Sequence, residues 1–210
     1  MPSDWEMIPL SEIASFDGGY SYKSDELKTS NCAMATIKNF DRHGGFKLDG
    51  FKEIVPSPKL KLTQHVELFD TLVAHTDLTQ NAEVIGNAEL MLSKSGYEDI
   101  VFSMDLVKVL PKNDDVSQFM IAALLHDQKF KEHCLGYVNG TTVLHLSKKA
   151  LPDYKLSLPK DLSVLKPLDE TLTALYKQIA NNIEENITLS SLRDNLLPQL
   201  MSGAIDISDY

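Results

Sequence analysis

Cysteine, basic charge and long apolar runs are all scarce in this chain. Cys32 and Cys134 are its only cysteines, too few for a disulfide framework and without the Cys-x-x-Cys spacing of a metal or redox motif. Both read as small buried hydrophobes with free thiols. No apolar run reaches the roughly 18 to 20 residues of a membrane span, and the opening "MPSDWEMIPL" lacks the basic-then-apolar layout of a secretory signal. A cytoplasmic protein with no membrane association is expected. Lys and Arg number 20 against 30 Asp and Glu, a formal charge of −10, which argues against a protein that coats nucleic acid by counterion release. The deficit is uneven, however. Tyr20 to Lys61 holds eight Lys or Arg against five Asp or Glu, whereas Leu62 to Pro111 holds two against eight, so one region can present a basic face within an acidic whole.

Signatures of catalysis are missing too. There is no GxxxxGKS or GxGxxG phosphate loop, no HExxH zinc helix and no GxSxG elbow. His126, Glu132 and His133 share one predicted helix, but the histidines lie seven residues apart with no third ligand, and His133 and Cys134 point about 100° apart. Neither a metal site nor a catalytic dyad is expected.

What is present is an ordinary globular composition, 43% hydrophobic and 24% charged, in two parts of different character. To about Leu158, strand-like runs alternate with turns: "WEMIPL" leading into a helical turn capped by Ser11, then "CAMATIKNF", "TLVAH", "AEVIGNAELML", "DIVFSMDLVKVL", "TTVLHL" after an Asn139-Gly140 turn, and "YKLSLP" as an edge strand. Between them, "DDVSQFMIAALLHDQKFKEHCLG" takes the helical period, with Asp115 and Gln118 as a capping box and Gly136 closing it. These predict a mixed sheet with packed helices. From Pro167 to about Leu197 apolar residues recur at Leu168, Leu172, Leu175, Ile179, Ile183, Ile187, Leu189, Leu192 and Leu196, without Gly or Pro. That is a helix of roughly 45 Å, ended by Pro198, whose stripe needs a mate.

The loop "TIKNFDRHGGFK" combines Lys38, Asn39, Arg42, His43 and Lys47, cations suited to phosphate with groups that pair to base edges, Arg to guanine and Asn to adenine. A solvated hairpin is the alternative reading. "HTDLTQNAEV" and "VNGTTV" are likewise rich in Thr, Asn and Gln.

"VELFDTLVAHTDLTQNAEVIG" (Val66 to Gly86), "VFSMDLVKV", "GYVNGTTVLHLSKKAL", "YKLSLP" and above all "LRDNLLPQLMSGAIDIS" (Leu192 to Ser208) together resemble the specificity subunit of type I restriction-modification systems. The resemblance implies an α+β target recognition domain over residues 1–160. Residues 161–210 would supply a long helix forming an antiparallel coiled-coil spacer, with a C-terminal tail. The family pattern has two such units, and this chain has one. It is therefore expected to be a half-subunit that homodimerises through Leu168, Leu172, Leu175, Ile179, Ile183, Ile187, Leu192 and Leu196, or one half of a split protein. The implied function is non-catalytic: reading one half of a bipartite double-stranded DNA target while recruiting methyltransferase and restriction subunits, to which S-adenosylmethionine, ATP and Mg²⁺ would belong. Loop chemistry and family position nominate Lys38, Asn39, Arg42, His43, Thr79, Gln80 and Asn81 for DNA contact, with Tyr20, Lys23, Thr141 and Thr142 behind them. Gly140 and Thr141 have a structural reading as well, a turn and strand start beneath the loops. A coiled-coil adaptor without DNA reading, or a small DNA-modifying enzyme, are the alternatives.

Overall fold

The computed structural model describes residues 3–204. The chain runs β1 (Trp5–Pro9), α1 (Leu10–Ile13), β2 (Ala14–Gly18), β3 (Cys32–Ala35), β4 (Lys52–Glu53), β5 (Thr71–Ala74), β6 (Thr76–Asp77), β7 (Ala88–Leu90), β8 (Asp99–Phe102), β9 (Leu106–Pro111), α2 (Gln118–Leu125), α3 (Gln128–Leu135), β10 (Val138–Asn139), β11 (Leu144–Leu146), α4 (Ala150–Asp153), β12 (Lys155–Pro159) and α5 (Lys166–Met201).

Its organising element is β5, the apolar run "TLVA", buried on both faces. Successive side chains of a strand point to opposite sides, so β5 feeds two cores. Val73, with Ala88 and Val109, faces a core closed by α1 to α4, whereas Leu72 and Ala74, with Leu106, face a second core shared with β3 and β8. Antiparallel pairing gives a four-stranded sheet in the order β2-β9-β5-β7. The second core is walled by β4-β3-β8, in which β3 and β8 run parallel. A small sheet, β10-β11-β6, stands apart from both, and β12 pairs with β1 from the other end of the domain.

The helical run expected from Asp115 to Leu135 is two helices. Asp127 interrupts it, its side chain accepting from the Lys129 N–H to cap α3. The cap of α2 is Ser117, not an Asp115–Gln118 box: its hydroxyl accepts from Phe119 and Met120 N–H groups and is also bonded to the Asp169 carboxylate. Ser117 thus ties α2 to the start of α5. Ser117→Ala should cost about 1–2 kcal/mol, the range of a lost N-cap, read as a lowered denaturant midpoint at unchanged slope. Likewise α1 starts after Pro9 rather than at a Ser11 cap, "TIKNF" turns at Thr36 into a 3-10 turn over Ile37–Asn39, and β11 begins at Leu144 instead of Thr141.

Helix α5 has 36 residues, about 54 Å at 1.5 Å per residue. Its first half lies on the domain. Leu172 and Tyr176 pack with Leu90, Phe119 and Ala122, the Tyr176 ring stacks on Phe119 at 5.9 Å between centroids, and Ala180 is buried. Beyond Ala180 no described residue of the helix is buried, and Leu189, Leu192, Leu196, Leu197, Leu200 and Met201 are exposed. The expected stripe is therefore divided. Leu172 packs into the core of the preceding domain, Ile183 and Ile187 are half-buried, and Leu168, Leu175 and Ile179 face outward.

Pro198 does not end the helix. It lies in the last turn, where the missing N–H leaves only the carbonyl of exposed Asp194 without a helical donor. The stop comes from Gly203, at φ +71°: its N–H bonds the Leu200 carbonyl and the Ala204 N–H reaches back to Gln199, the paired bonds of a Schellman closure. The rest of the "GAIDIS" tail lies outside the described residues.

Candidate nucleic-acid interface

Three loops far apart in sequence converge at one edge of the domain. The first, after β3, is shaped by Thr36 and Asn39. Asn39 accepts from the Thr36 N–H at 2.9 Å and donates to the Lys47 carbonyl at 2.8 Å, while its backbone carbonyl accepts from the Lys47 N–H at 2.6 Å. Asn39 is 0% exposed. Both functions of its amide are consumed in pinning the loop, so Asn39, which the sequence nominated for DNA contact, holds the loop instead of presenting its amide to a base. The Thr36-x-x-Asn39 spacing, a capping box, carried that signal. Lys38, Arg42 and His43 are held outward on the loop so fixed.

The second loop, from Leu78 to Glu83, hangs on Asp77. This carboxylate is 2% exposed and accepts three bonds of 2.8 Å, from the Thr79 N–H, the Thr79 hydroxyl and the Val84 N–H. Burial works against its charge, but these donors win and hold the carboxyl below the usual Asp value. Leu78, Gln80 and Asn81 are left exposed and Thr79 half-buried, its hydroxyl already donated to Asp77.

The third is the turn between β10 and β11. Gly140, at φ +112°, would drive a Cβ into the Val143 carbonyl, so the turn demands glycine. Thr141 and Thr142 are exposed at its tip. Pairing of β11 with β6 sets Leu144 opposite Asp77, and the Gln80 amide donates to the Thr141 carbonyl. The first loop joins them through an Arg42–Glu83 ion pair of 3.0 Å. Between the first two loops lies an open hollow of about 410 Å³ whose wall includes Lys38, Arg42, Lys47, Leu78 and Thr79. Lys47 and Leu78 stand beside the nominated residues on this surface.

Tyr20 and Lys23 are placed differently. Tyr20 is buried and its hydroxyl is bonded to the Glu26 carboxylate and to Ser57, so it braces the fold and cannot contact DNA. Lys23 is exposed beside Glu26, and among the described residues no hydrogen bond or ion pair joins either residue to the three loops.

The histidines have structural partners. His133 Nε2 lies 2.9 Å from the Ala150 carbonyl. His126, the residue that caps the C-terminus of α2 and so lies off the helix that carries Glu132 and His133, sits 3.5 Å from the buried Glu89 carboxylate, which raises its pKa and itself accepts from the Gly45 N–H. Burial pushes the Cys134 thiol up to about 12, and burial with the Asp99 charge pushes Cys32 up to about 11, so both stay protonated and free. No helix of the described residues is long and apolar enough to cross a membrane.

The structure is thus an α+β domain with a loop-built polar edge and a long trailing helix. The family model for the type I restriction modification DNA specificity domain matches residues 2–185, and the chain belongs to that family. A search of curated proteins finds no significant match. Among solved structures, the chain is similar to the type I restriction-modification system S subunit from M. genitalium (19% identity, TM-score 0.55, 94% of this chain and 46% of that one). It is also similar to the HsdS subunit from Thermoanaerobacter tengcongensis (14% identity, TM-score 0.51, 95% and 45%). The chain thus spans about half the length of these subunits, and the likeness is one of fold.

Proposed function

We propose that the chain reads one half of a bipartite DNA target as the non-catalytic specificity component of a type I complex. It dimerises through α5 and recruits methyltransferase and restriction subunits, which bring S-adenosylmethionine, ATP and Mg²⁺. The observation that carries this reading is the chain of contacts that joins the three loops, Arg42 to Glu83 and Gln80 to Thr141, on a domain whose helix leaves an apolar face uncovered beyond Ala180. Phosphate contacts from partner subunits would offset the acidic charge of the chain, leaving the loops to read bases. The isolated protein should accordingly bind DNA weakly and lose that binding steeply with salt, and the assembled complex should bind tightly. The test is to incubate the purified chain with DNA, Mg²⁺ and S-adenosylmethionine, with and without methyltransferase subunits. Methyl transfer at a two-part motif only when those subunits are added is expected; methylation or cleavage by the chain alone would overturn the reading.

A further inference from the structure

The uncovered side of α5 carries an unbroken heptad whose polar members select one way of pairing with a second copy. Counting 4 and 3 alternately from Leu168, the seam positions are Leu168, Leu172, Leu175 and Ile179, then Asn182 and Asn186. They continue through Leu189, Arg193, Leu196 and Leu200. This line lies beside, not on, the Leu172–Tyr176–Ala180 face that meets the domain. Leu172 borders both.

We infer that two copies pair antiparallel about a two-fold axis at Glu184, with Asn182 of each opposite Asn186 of the other. The inference rests on the dimer reading above and adds its register. In that register Leu168 meets Leu200 of the second copy, Leu172 meets Leu196 and Ile179 meets Leu189: apolar layers at both ends and an amide pair on each side of the centre. The remaining layer sets Arg193 on Leu175, where the long stem covers the leucine and the guanidinium, already beside Asp194, extends to water. Other registers break this match. Slipping the helices by one heptad in one direction sets Asn186 against Leu175 and Asn182 against Ile179, and in the other sets Asn186 against Leu189. Each such layer buries an amide with no partner. The asparagines thus fix the register, and with it the separation of the two recognition domains.

Spin labels on cysteines replacing Lys177 and Ser191, one at a time in a Cys32→Ser, Cys134→Ala chain, test this by pulsed distance measurement on the full protein. The two sites lie seven residues either side of position 184. They should give equal distances, while a label replacing Glu170 should give one longer by roughly 20 Å along the axis at 1.5 Å per residue. A slip of one heptad would make the first two unequal by about 20 Å along the axis. Asn182→Leu with Asn186→Leu should broaden all three distributions without dissolving the dimer. Unequal distances in a dimer would overturn the register alone, three equal ones would indicate parallel helices and overturn it too, and a monomer by sedimentation at micromolar concentration would overturn the dimer reading with it.

Discussion

Replacing Lys38 and Arg42 together by alanine is expected to abolish site-specific methylation by the assembled complex and to leave the folded chain intact. Both side chains are exposed on the rim of the hollow. Among the described residues their one ion pair, Arg42 with Glu83, is a surface contact worth at most about 1 kcal/mol. Each lost DNA contact costs about 1–3 kcal/mol, so the double variant should lose on the order of 100-fold or more in affinity for its target and flatten the salt dependence by about one unit per phosphate contact removed. Arg42→Lys separates the two roles of that position. If Arg42 holds guanine in the bidentate geometry that lysine lacks, the lysine variant keeps its salt slope but relaxes the methylated motif at one base. An unchanged methylation map in the double variant would remove this edge of the domain from the reading surface.

A second large effect is expected one residue before the second loop. Asp77→Ala should lower stability by about 3 kcal/mol, because the buried Val84 N–H and the half-buried Thr79 N–H and hydroxyl lose their acceptor at once. In a chain of this size that is roughly 2–4 °C in Tm per kcal/mol. The pH dependence carries its own signature. The carboxyl titrates below its ordinary value of 3.8 when folded, so its contribution is fully present above about pH 4 and is lost as pH falls through the depressed value. Asp77→Asn presents an amide N–H₂ to one set of donors and abolishes the charge. Both variants should therefore show a shallower loss of stability below pH 4 than the parent protein. An unaltered acid limb in unfolding titrations would mean that the carboxylate is not what holds the loop.

Much of this architecture could be read from residue order alone, and the rest turned on single side chains. The run "TLVA" announced a doubly buried strand, and the leucine and isoleucine spacing after Pro167 announced the long helix, since both depend only on period. Period does not report what a side chain's polar atoms are already bonded to. Asn39 and Tyr20 look like recognition groups in sequence because amides and phenols recognise; here each is satisfied internally, by Lys47 and Thr36 in one case and by Glu26 and Ser57 in the other. The division of α5 into a domain-facing and an outward face was hidden for a similar reason. Leu172 and Leu175 are equivalent by heptad count and differ only in where Phe119 and Tyr176 lie. Pro198 misled because its penalty falls with position: in the last turn it removes one solvent-side bond, and the closing geometry passes to Gly203.

The sheet that carries two of the loops, β10-β11-β6, shares no strand with the two sheets that enclose the cores. Its strands are two or three residues long and their pairings run through backbone atoms, which any sequence supplies. New residues at Leu78, Gln80, Asn81, Thr141 and Thr142 therefore disturb no packed interior so long as Asp77 and Gly140 stay. If these loops read DNA as proposed, a handful of surface codons would suffice to change the target while the architecture beneath is left whole.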